Sequence, residues 1–155
     1  MKTEERIQKQ RELVETIGRF YEDEGLQPTA GRILGLLMVM DKEKFTFDEI
    51  VEELQISKSS ASLALRILQA RGDVDYTTLP GDKKRYFELK RKDVLSLMED
   101  FEKKMERTYD LFQQILTLKA NSESPNSHFF KELIRMLEFF FKRLESVKEE
   151  FRKEQ

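Results

Sequence analysis

The strongest constraint on the fold is a series of helix start and stop signals between residues 46 and 72. The segment TFDE at residues 46–49 fits a capping box, in which the threonine hydroxyl caps a helix and the glutamate reaches back to the cap. Residues 55–56 form a short connection, and Ser57 can cap a second helix that Gly72 ends. The sequence therefore predicts two helices joined by a tight turn.

A β-hairpin is predicted directly after the second of these helices. Residues 73–79 and 83–89 are rich in aromatic and β-branched side chains, and a Pro-Gly-Asp turn at residues 80–82 lies between them. Phe87 and Leu89 alternate as the inward face of the second strand. Helix, short turn, helix and hairpin is the order of a winged helix-turn-helix, so the expected fold class is mainly α with a small β-hairpin wing.

Two helices precede this segment. Apolar residues recur with helical spacing over residues 3–24, and the glycine that follows is suited to end that helix in the left-handed conformation. Thr29 is predicted to cap the next helix, over residues 30–40. Gly31 and Gly35 lie one turn apart on it, and each costs a helix about 1 kcal/mol relative to alanine. We therefore expect another element to approach the helix closely at these glycines.

Two long helices follow the hairpin. The first is predicted from about Arg91 to Leu118, and the second follows a polar linker at residues 120–127, capped by Ser124 or Ser127. Apolar residues in the last helix alternate by three and four positions, which is typical of a seam between helices. These residues are Phe130, Leu133, Leu137, Phe140, Leu144, Val147 and Phe151.

The second helix of the central pair is predicted to have one apolar and one polar face. At about 100° per residue, one arc carries Ala61, Ala64, Leu65 and Leu68. The opposite arc carries Lys58, Ser59, Ser62, Arg66 and Gln69. No Asp or Glu occurs between Leu54 and Gly72. Hydroxyl groups suit base edges and cations suit phosphates, so this arc is a candidate DNA face, although solvated cations alone would also explain it.

The predicted wing adds a second group of cations. Lys83, Lys84 and Arg85 follow one another directly after the turn, where a wing would lie along a groove of DNA. Together with the polar arc, they favour DNA binding over a plain solvated surface. Lys58, Ser59, Ser62 and Arg66 of the arc and these three cations form the predicted DNA-binding site of seven residues.

Several stretches resemble the GbsR-type branch of the MarR regulators. They are IGRF at 17–20, Gly25-Leu26, AGRILG at 30–35, ISKSSAS at 56–62 and PGDKK at 80–84. The resemblance covers roughly residues 12–95. It implies a homodimeric bacterial transcription regulator, which we interpret as a repressor. It also implies that Lys58, Ser59, Ser62 and Arg66 lie in the major groove. The wing-tip arginine of that family would fall at Lys84 or Arg85.

We expect three parts in the chain: an N-terminal dimerisation helix at 1–27, a winged helix-turn-helix at 28–90 and C-terminal dimerisation helices at 91–155. The flanking helices have broader apolar faces than one small domain can cover, so we expect a homodimer. Two-fold symmetry would match a pseudo-palindromic operator in double-stranded DNA. The alternative is that these helices pack only on their own protomer as a bundle.

Composition excludes several other classes. The chain has no cysteine, which excludes disulfides and thiolate metal sites and fits a reducing cytoplasm. The formal net charge is −2, so contact with nucleic acid must come from a local patch. The sequence contains no catalytic motif, and the lone His128 is interpreted as a surface residue. We therefore expect no enzyme, no metal and no cofactor. The longest apolar run, residues 33–40, is too short to span a membrane, and the charged N-terminus does not fit a signal peptide.

Twelve phenylalanines suggest an aromatic pocket for an effector. Candidate lining residues are Phe20, Tyr21, Tyr109 and Phe112. Regulators resembling this chain often respond to small molecules, and some GbsR-like members are linked to choline. An aromatic cage for a quaternary ammonium prefers tryptophan, which is absent here, and phenylalanine at helical spacing is more typical of a core. Release from DNA by an effector is thus implied by the resemblance alone.

A second class of function remains open on the sequence. A winged helix with dimerisation helices could serve as a protein-interaction module without specific DNA binding, and the net negative charge is compatible with that. Its discriminating feature would be affinity for a partner protein that depends little on salt. A purely structural coiled-coil protein is disfavoured by the hairpin and the capping signals.

Overall fold

The computed structural model describes residues 2–155, and within them it contains six α-helices and three short strands. The chain divides into two compact units, one ending at Arg91 and the other spanning Lys92–Gln155. The elements of the first unit are α1 (Thr3–Asp23), α2 (Pro28–Val39), β1 (Phe45–Thr46), α3 (Phe47–Leu54), α4 (Lys58–Arg71), β2 (Val74–Thr78) and β3 (Arg85–Leu89). The second unit consists of α5 (Val94–Leu118) and α6 (Pro125–Glu154). In the described residues, no helix combines the length and hydropathy that crossing a bilayer requires.

The predicted fold class is confirmed, with one added strand. The hairpin strands β2 and β3 pair antiparallel, and β1 pairs with the other edge of β3, giving the order β1-β3-β2. Phe87 on β3 lies opposite both Phe45 and Tyr76. Strand β1 was not predicted, because this strand has two residues and depends on pairing with a strand 40 positions later. Both hairpin strands are also shorter than predicted, because the loop that connects them spans residues 79–84.

Close packing of α1 on α2 explains the two glycines of α2. A Cβ atom on Gly35 would lie 2.8 Å from the Val14 carbonyl oxygen, and one on Gly31 would lie 2.9 Å from the Gly18 carbonyl oxygen. Both distances are too short for a real side chain, so the backbones of the two helices are in contact. The predicted close approach is confirmed, and α1 is the element that makes it.

The predicted cap of α2 is wrong. The helix begins at Pro28, and Gln27 caps it by accepting a hydrogen bond from the Ala30 backbone N–H at 2.9 Å. Thr29 already lies in the first turn. Proline at the first helical position supplies the φ angle that starts the helix, so the cap moves to the residue before it. The preceding Gly25 has a φ of +91°, as predicted for the end of α1.

The caps of α3 and α4 are confirmed. The Thr46 hydroxyl accepts from the Glu49 N–H at 3.2 Å and donates to the Glu49 carboxylate at 3.1 Å. Ser57 accepts from the Ser60 N–H at 3.1 Å, and Gly72 ends α4 with a φ of +75°. The two helices are joined through Gln55, which adopts the left-handed conformation with a φ of 50°. Residues 46–72 therefore form a helix-turn-helix in which a side chain caps the start of each helix.

An arginine on α2 connects three elements of the first unit. Arg32 Nη2 donates to a carboxylate oxygen of Glu15 on α1 at 2.8 Å and to the Leu54 carbonyl oxygen at the end of α3 at 3.0 Å. Arg32 Nε donates to both oxygens of the same carboxylate. This two-pronged pairing orients the guanidinium, so α1 and the end of α3 are held at fixed positions relative to α2.

The second unit is an antiparallel pair of helices. Ring contacts pair Phe101 with Phe140 and Phe112 with Phe130, at centroid distances of 5.8 and 5.2 Å. Asp93 caps α5, which therefore begins at Val94, three residues later than predicted. Of the two predicted caps for α6, the structure has Ser124.

A buried lysine fixes the alignment of α5 and α6. Lys148 on α6 donates to Glu102 on α5 at 2.8 Å and lies 2.9 Å from Glu145 one turn earlier on its own helix. Hydrogen bonds from Lys148 to the two carboxylates, Glu102 first, raise the pKa of this ammonium group. Because moving the helices by one turn would separate this buried ammonium from Glu102, its partner on α5, the contact favours one alignment of the pair.

Candidate nucleic-acid interface

Helix α4 has the two faces that its sequence predicts. Ala61, Ala64, Leu65 and Leu68 are buried in the core of the first unit. Lys58, Ser59, Ser62 and Arg66 are all exposed. The helix therefore contributes its apolar arc to the core, and its hydroxyls and cations face solvent, where a nucleic acid could reach them.

An open cleft of about 440 Å³ lies between α4 and the wing. It brings together Ser62 and Arg66 from α4 with Lys83, Lys84 and Arg85 from the hairpin. Lys58 and Ser59 lie outside this cleft, in the first turn of α4. Five of the seven predicted residues therefore line one surface, and the other two extend the surface along the helix.

Charge in the cleft is strongly one-sided. Four of its lining side chains are cationic (Arg66, Lys83, Lys84 and Arg85), and Asp48 is the one carboxylate among them. Two other carboxylates of α3 are paired away from the cleft. Glu49 is bonded to Thr46 and paired with Lys42, and Glu53 accepts from Arg11 at 2.9 Å. The cleft is thus a local positive patch on a chain whose net charge is negative.

The first turn of α4 is ordered by a cluster of serine hydroxyls. Ser57 Oγ accepts from the Ser60 backbone N–H, donates to Ser60 Oγ at 2.8 Å and lies 3.3 Å from Ser59 Oγ. The partial positive charge at a helix N-terminus adds to that of Lys58, which follows the cap. This end of α4 is therefore suited to an anionic partner.

The wing turn is held by a carboxylate that sequence analysis did not single out. Asp82 accepts a hydrogen bond from the Tyr86 hydroxyl at 2.7 Å and from the Lys84 backbone N–H at 2.9 Å. The Tyr86 hydrogen bond, followed by the Lys84 backbone bond, lowers the pKa of Asp82. The same contact raises the pKa of Tyr86. These contacts order the backbone of residues 82–86, which carries the wing cations.

Arg85 has a position that sequence analysis also missed. Its guanidinium lies over the Tyr76 ring, 4.6 Å from the ring centroid, in a cation–π contact between the two strands. In the register, Arg85 pairs with Thr78, so Tyr76 is its diagonal neighbour on the same face. The pairing register was the signal that could have revealed it. All three wing cations are exposed, and Lys83 and Lys84 lie in the loop at the tip of the hairpin.

The aromatic residues considered for an effector are engaged in ring contacts. In the first unit, Phe20 and Tyr21 pack edge to face at 5.2 Å. In the second unit, Tyr109 packs on Phe141 and Phe112 packs on Phe130. The Tyr109 hydroxyl donates to Glu138 at 2.9 Å. Within residues 2–155, no three carboxylate or imidazole side chains are grouped as metal ligands would be.

Comparison with known proteins agrees with this geometry. Residues 24–85, which run from the end of α1 to the start of β3, match the profile of the MarR family. The match is confined to the winged-helix segment, which is similar to the MarR family. The matched segment contains α2, the helix-turn-helix and most of the wing, so it carries all seven predicted DNA-binding residues.

Similarity to two known proteins extends beyond the segment that the family profile matches. The chain is 34% identical over 79 residues to the HTH-type transcriptional regulator MmpR5 of Mycobacterium tuberculosis (strain ATCC 25618 / H37Rv). That match covers 51% of this chain and 48% of MmpR5, so it spans about half the length of the curated relative. A crystal structure of a transcriptional regulator superposes with a TM-score of 0.66 at 24% identity, covering 94% of this chain and 99% of the other. The similarity of fold therefore extends to the flanking helices.

Proposed function

We propose that the protein is a sequence-specific DNA-binding transcription regulator. The observation that carries the proposal is the cleft between α4 and the wing, where four cations face one carboxylate. A patch of this sign attracts the phosphate backbone, and an exposed helix beside it has the dimensions of the major groove. The MarR profile over the same residues supports the proposal from an independent direction.

The seven predicted residues have distinct roles in this proposal. Lys58, Ser59, Ser62 and Arg66 face the major groove, where the hydroxyls contact base edges and the cations contact bases or phosphates. Lys83, Lys84 and Arg85 lie along the backbone beside the groove. Arg85 is stacked on Tyr76 in the free protein, so it reaches a phosphate from the side of the hairpin, whereas Lys83 and Lys84 reach it from the tip.

We also propose that the regulator is a homodimer. Helix α5 has 25 residues and none of them is buried, although Val94, Leu97, Phe101 and Leu111 are large and apolar. Such a helix needs a partner surface to remove these side chains from water. A second copy would cover them and would present two recognition helices to a pseudo-palindromic operator.

The finer assignments rest on the resemblance to GbsR-type regulators. In support, AGRILG contains both glycines of the α1–α2 contact, and ISKSS contains the cap and first turn of α4. On this basis we propose a repressor that a small-molecule effector releases from DNA and that has no enzymatic activity. DNA binding also implies that the protein acts in the cytoplasm of a bacterial cell.

Fluorescence anisotropy with the purified protein tests the proposal. The DNA would be the intergenic region upstream of its own gene, measured across a salt series with scrambled DNA as the competitor. We expect tight, salt-sensitive binding that exceeds binding to scrambled DNA by at least about 10³. Equal and weak binding to both DNAs would contradict the proposal and favour a protein-interaction module.

A further inference from the structure

An exposed leucine lies near the centre of the outward face of α4. Leu63 is 46% exposed, whereas the next two residues, Ala64 and Leu65, are buried. At about 100° per residue, the direction opposite to the buried arc of α4 falls between Ser59 and Leu63. The side chain of Leu63 therefore points away from the core, into the space where DNA would lie.

The neighbours of Leu63 are residues of the proposed DNA face. Ser59 precedes it by one turn, Ser62 is adjacent, and Arg66 follows three positions later. Leu63 is the sixth of the 14 residues of α4, so it lies in the N-terminal half. In helix-turn-helix proteins, this half of the recognition helix faces the base edges. An apolar side chain at this place has no use in binding phosphates.

The chemistry of the major groove offers one apolar partner. Thymine is the base that presents a methyl group there, beside its O4 acceptor, whereas the other three present hydrogen-bond donors and acceptors without a methyl group. Leucine can neither donate nor accept a hydrogen bond, so opposite another base it would leave polar groups without partners. Opposite thymine, both apolar groups leave water. A solitary exposed leucine is ordinary on a surface, but this one lies among hydroxyls and a guanidinium aimed at the same groove.

We propose that Leu63 contacts the 5-methyl group of a thymine in each half-site and thereby selects a T·A pair at that position. The inference rests on the proposed function, because it requires α4 to enter the major groove. Leu63 is thus a specificity-determining residue that the charge and hydroxyl pattern of the helix does not reveal.

Replacement of thymine by deoxyuridine provides the test, because it removes only the methyl group. Operators would first be selected by the wild-type protein from a random double-stranded DNA pool, and each thymine would then be replaced in turn. Anisotropy would give Kd for the wild type, Leu63→Ala and the neighbouring control Ser62→Ala. Because Leu63 is exposed, the alanine variant should fold, and thermal unfolding of all three proteins checks this.

At one thymine per half-site, we expect deoxyuridine to weaken wild-type binding by about fourfold, the value of one methyl group removed from water. Leu63→Ala should bind the two operators equally, whereas Ser62→Ala should bind both more weakly and keep the fourfold ratio. A wild type indifferent to every thymine methyl, or a Leu63→Ala that keeps the ratio, would overturn the assignment of Leu63 alone. Failure of the pool to enrich any sequence would overturn the proposed function together with it.

Discussion

At the scale of single residues, the proposed DNA face depends on charged side chains whose positions are set by their neighbours. Asp82 holds the wing turn through Tyr86 and the Lys84 backbone, and Tyr76 supports Arg85. The backbone that carries the wing cations is therefore ordered by these contacts. Substitutions can therefore separate side chains proposed to contact phosphates from side chains that position them.

Removing one cation from each side of the cleft should weaken DNA binding. For Arg66→Ala combined with Lys84→Ala, we expect lower affinity and a salt slope that flattens by about 0.9 for each phosphate that is no longer neutralised. The reason is that each cation releases a counterion when it neutralises a phosphate. Anisotropy over a salt series measures both quantities.

The matched control for this double variant removes two cations from another surface. Lys9→Ala combined with Arg19→Ala changes the net charge equally, but both residues lie on α1, where they contact Glu5 and Thr16. We expect its salt slope to equal that of the wild type. If both double variants flattened the slope alike, the positive patch would not be the DNA contact.

The wing contact has a defined pH dependence. Tyr86 lowers the pKa of Asp82, so the hydrogen bonds of the carboxylate are intact above its ordinary pKa and are lost as the pH falls through the lowered value. Tyr86→Phe should move the Asp82 pKa up toward its ordinary value. NMR titration of the Asp82 side-chain carboxyl would measure this. An unchanged midpoint would contradict the contact.

At the scale of elements, local sequence predicted most helix ends. The caps Thr46 and Ser57 and the stop Gly72 act within a few residues of the helix they bound, so pattern alone identified them. Strand β1 depends on pairing with a strand 40 positions later, and the contact of Arg85 with Tyr76 depends on the exact hairpin register, which the overlong predicted strands did not define. The candidate site divides in the same way. Its side chains could be named from one helix and one turn, but their meeting in a single cleft could not.

The α1–α2 contact gives a prediction in which two effects oppose each other. Helix propensity alone would make Gly35→Ala stabilising by about 1 kcal/mol. The added Cβ, however, would lie 2.8 Å from the Val14 carbonyl oxygen, so the helices must separate. We expect a net destabilisation of about 1–3 kcal/mol, measured by urea unfolding. A more stable variant would show that the helices are not in backbone contact.

At the scale of the whole molecule, the chain divides into two compact units with different surfaces. The first contains the helix-turn-helix and the wing, and the second contains a helix with no buried residue. A single pair of helices leaves much of its apolar surface in water, so the second unit is the part of the chain most in need of a partner. Assembly and DNA contact can therefore be tested by separate substitutions.

A charge on the exposed apolar face of α5 should prevent assembly. For Leu97→Glu, we expect light scattering to give the 18.5 kDa mass of one chain, where the wild type gives twice that mass. The cause is the cost of burying an unpaired carboxylate against a second copy. Lys103→Glu introduces the same side chain at an exposed position about 120° away from Leu97 around the axis of α5. We expect this variant to remain a dimer. A monomeric wild type would contradict the homodimer itself.

The glycines between α1 and α2 have a mechanical consequence. Helices separated by flexible side chains can slide past one another when those side chains change rotamer. Where two helix backbones are in direct contact, no side chain lies between them that could adjust in this way. The α1–α2 pair is therefore stiff, and Arg32 fastens it to the end of α3. Val14 of α1 and buried residues of α2 and α4 belong to one core, so a displacement of α1 would be felt at α4. We therefore expect a molecule bound to α1 to act on the position of α4, the helix that carries the proposed DNA face.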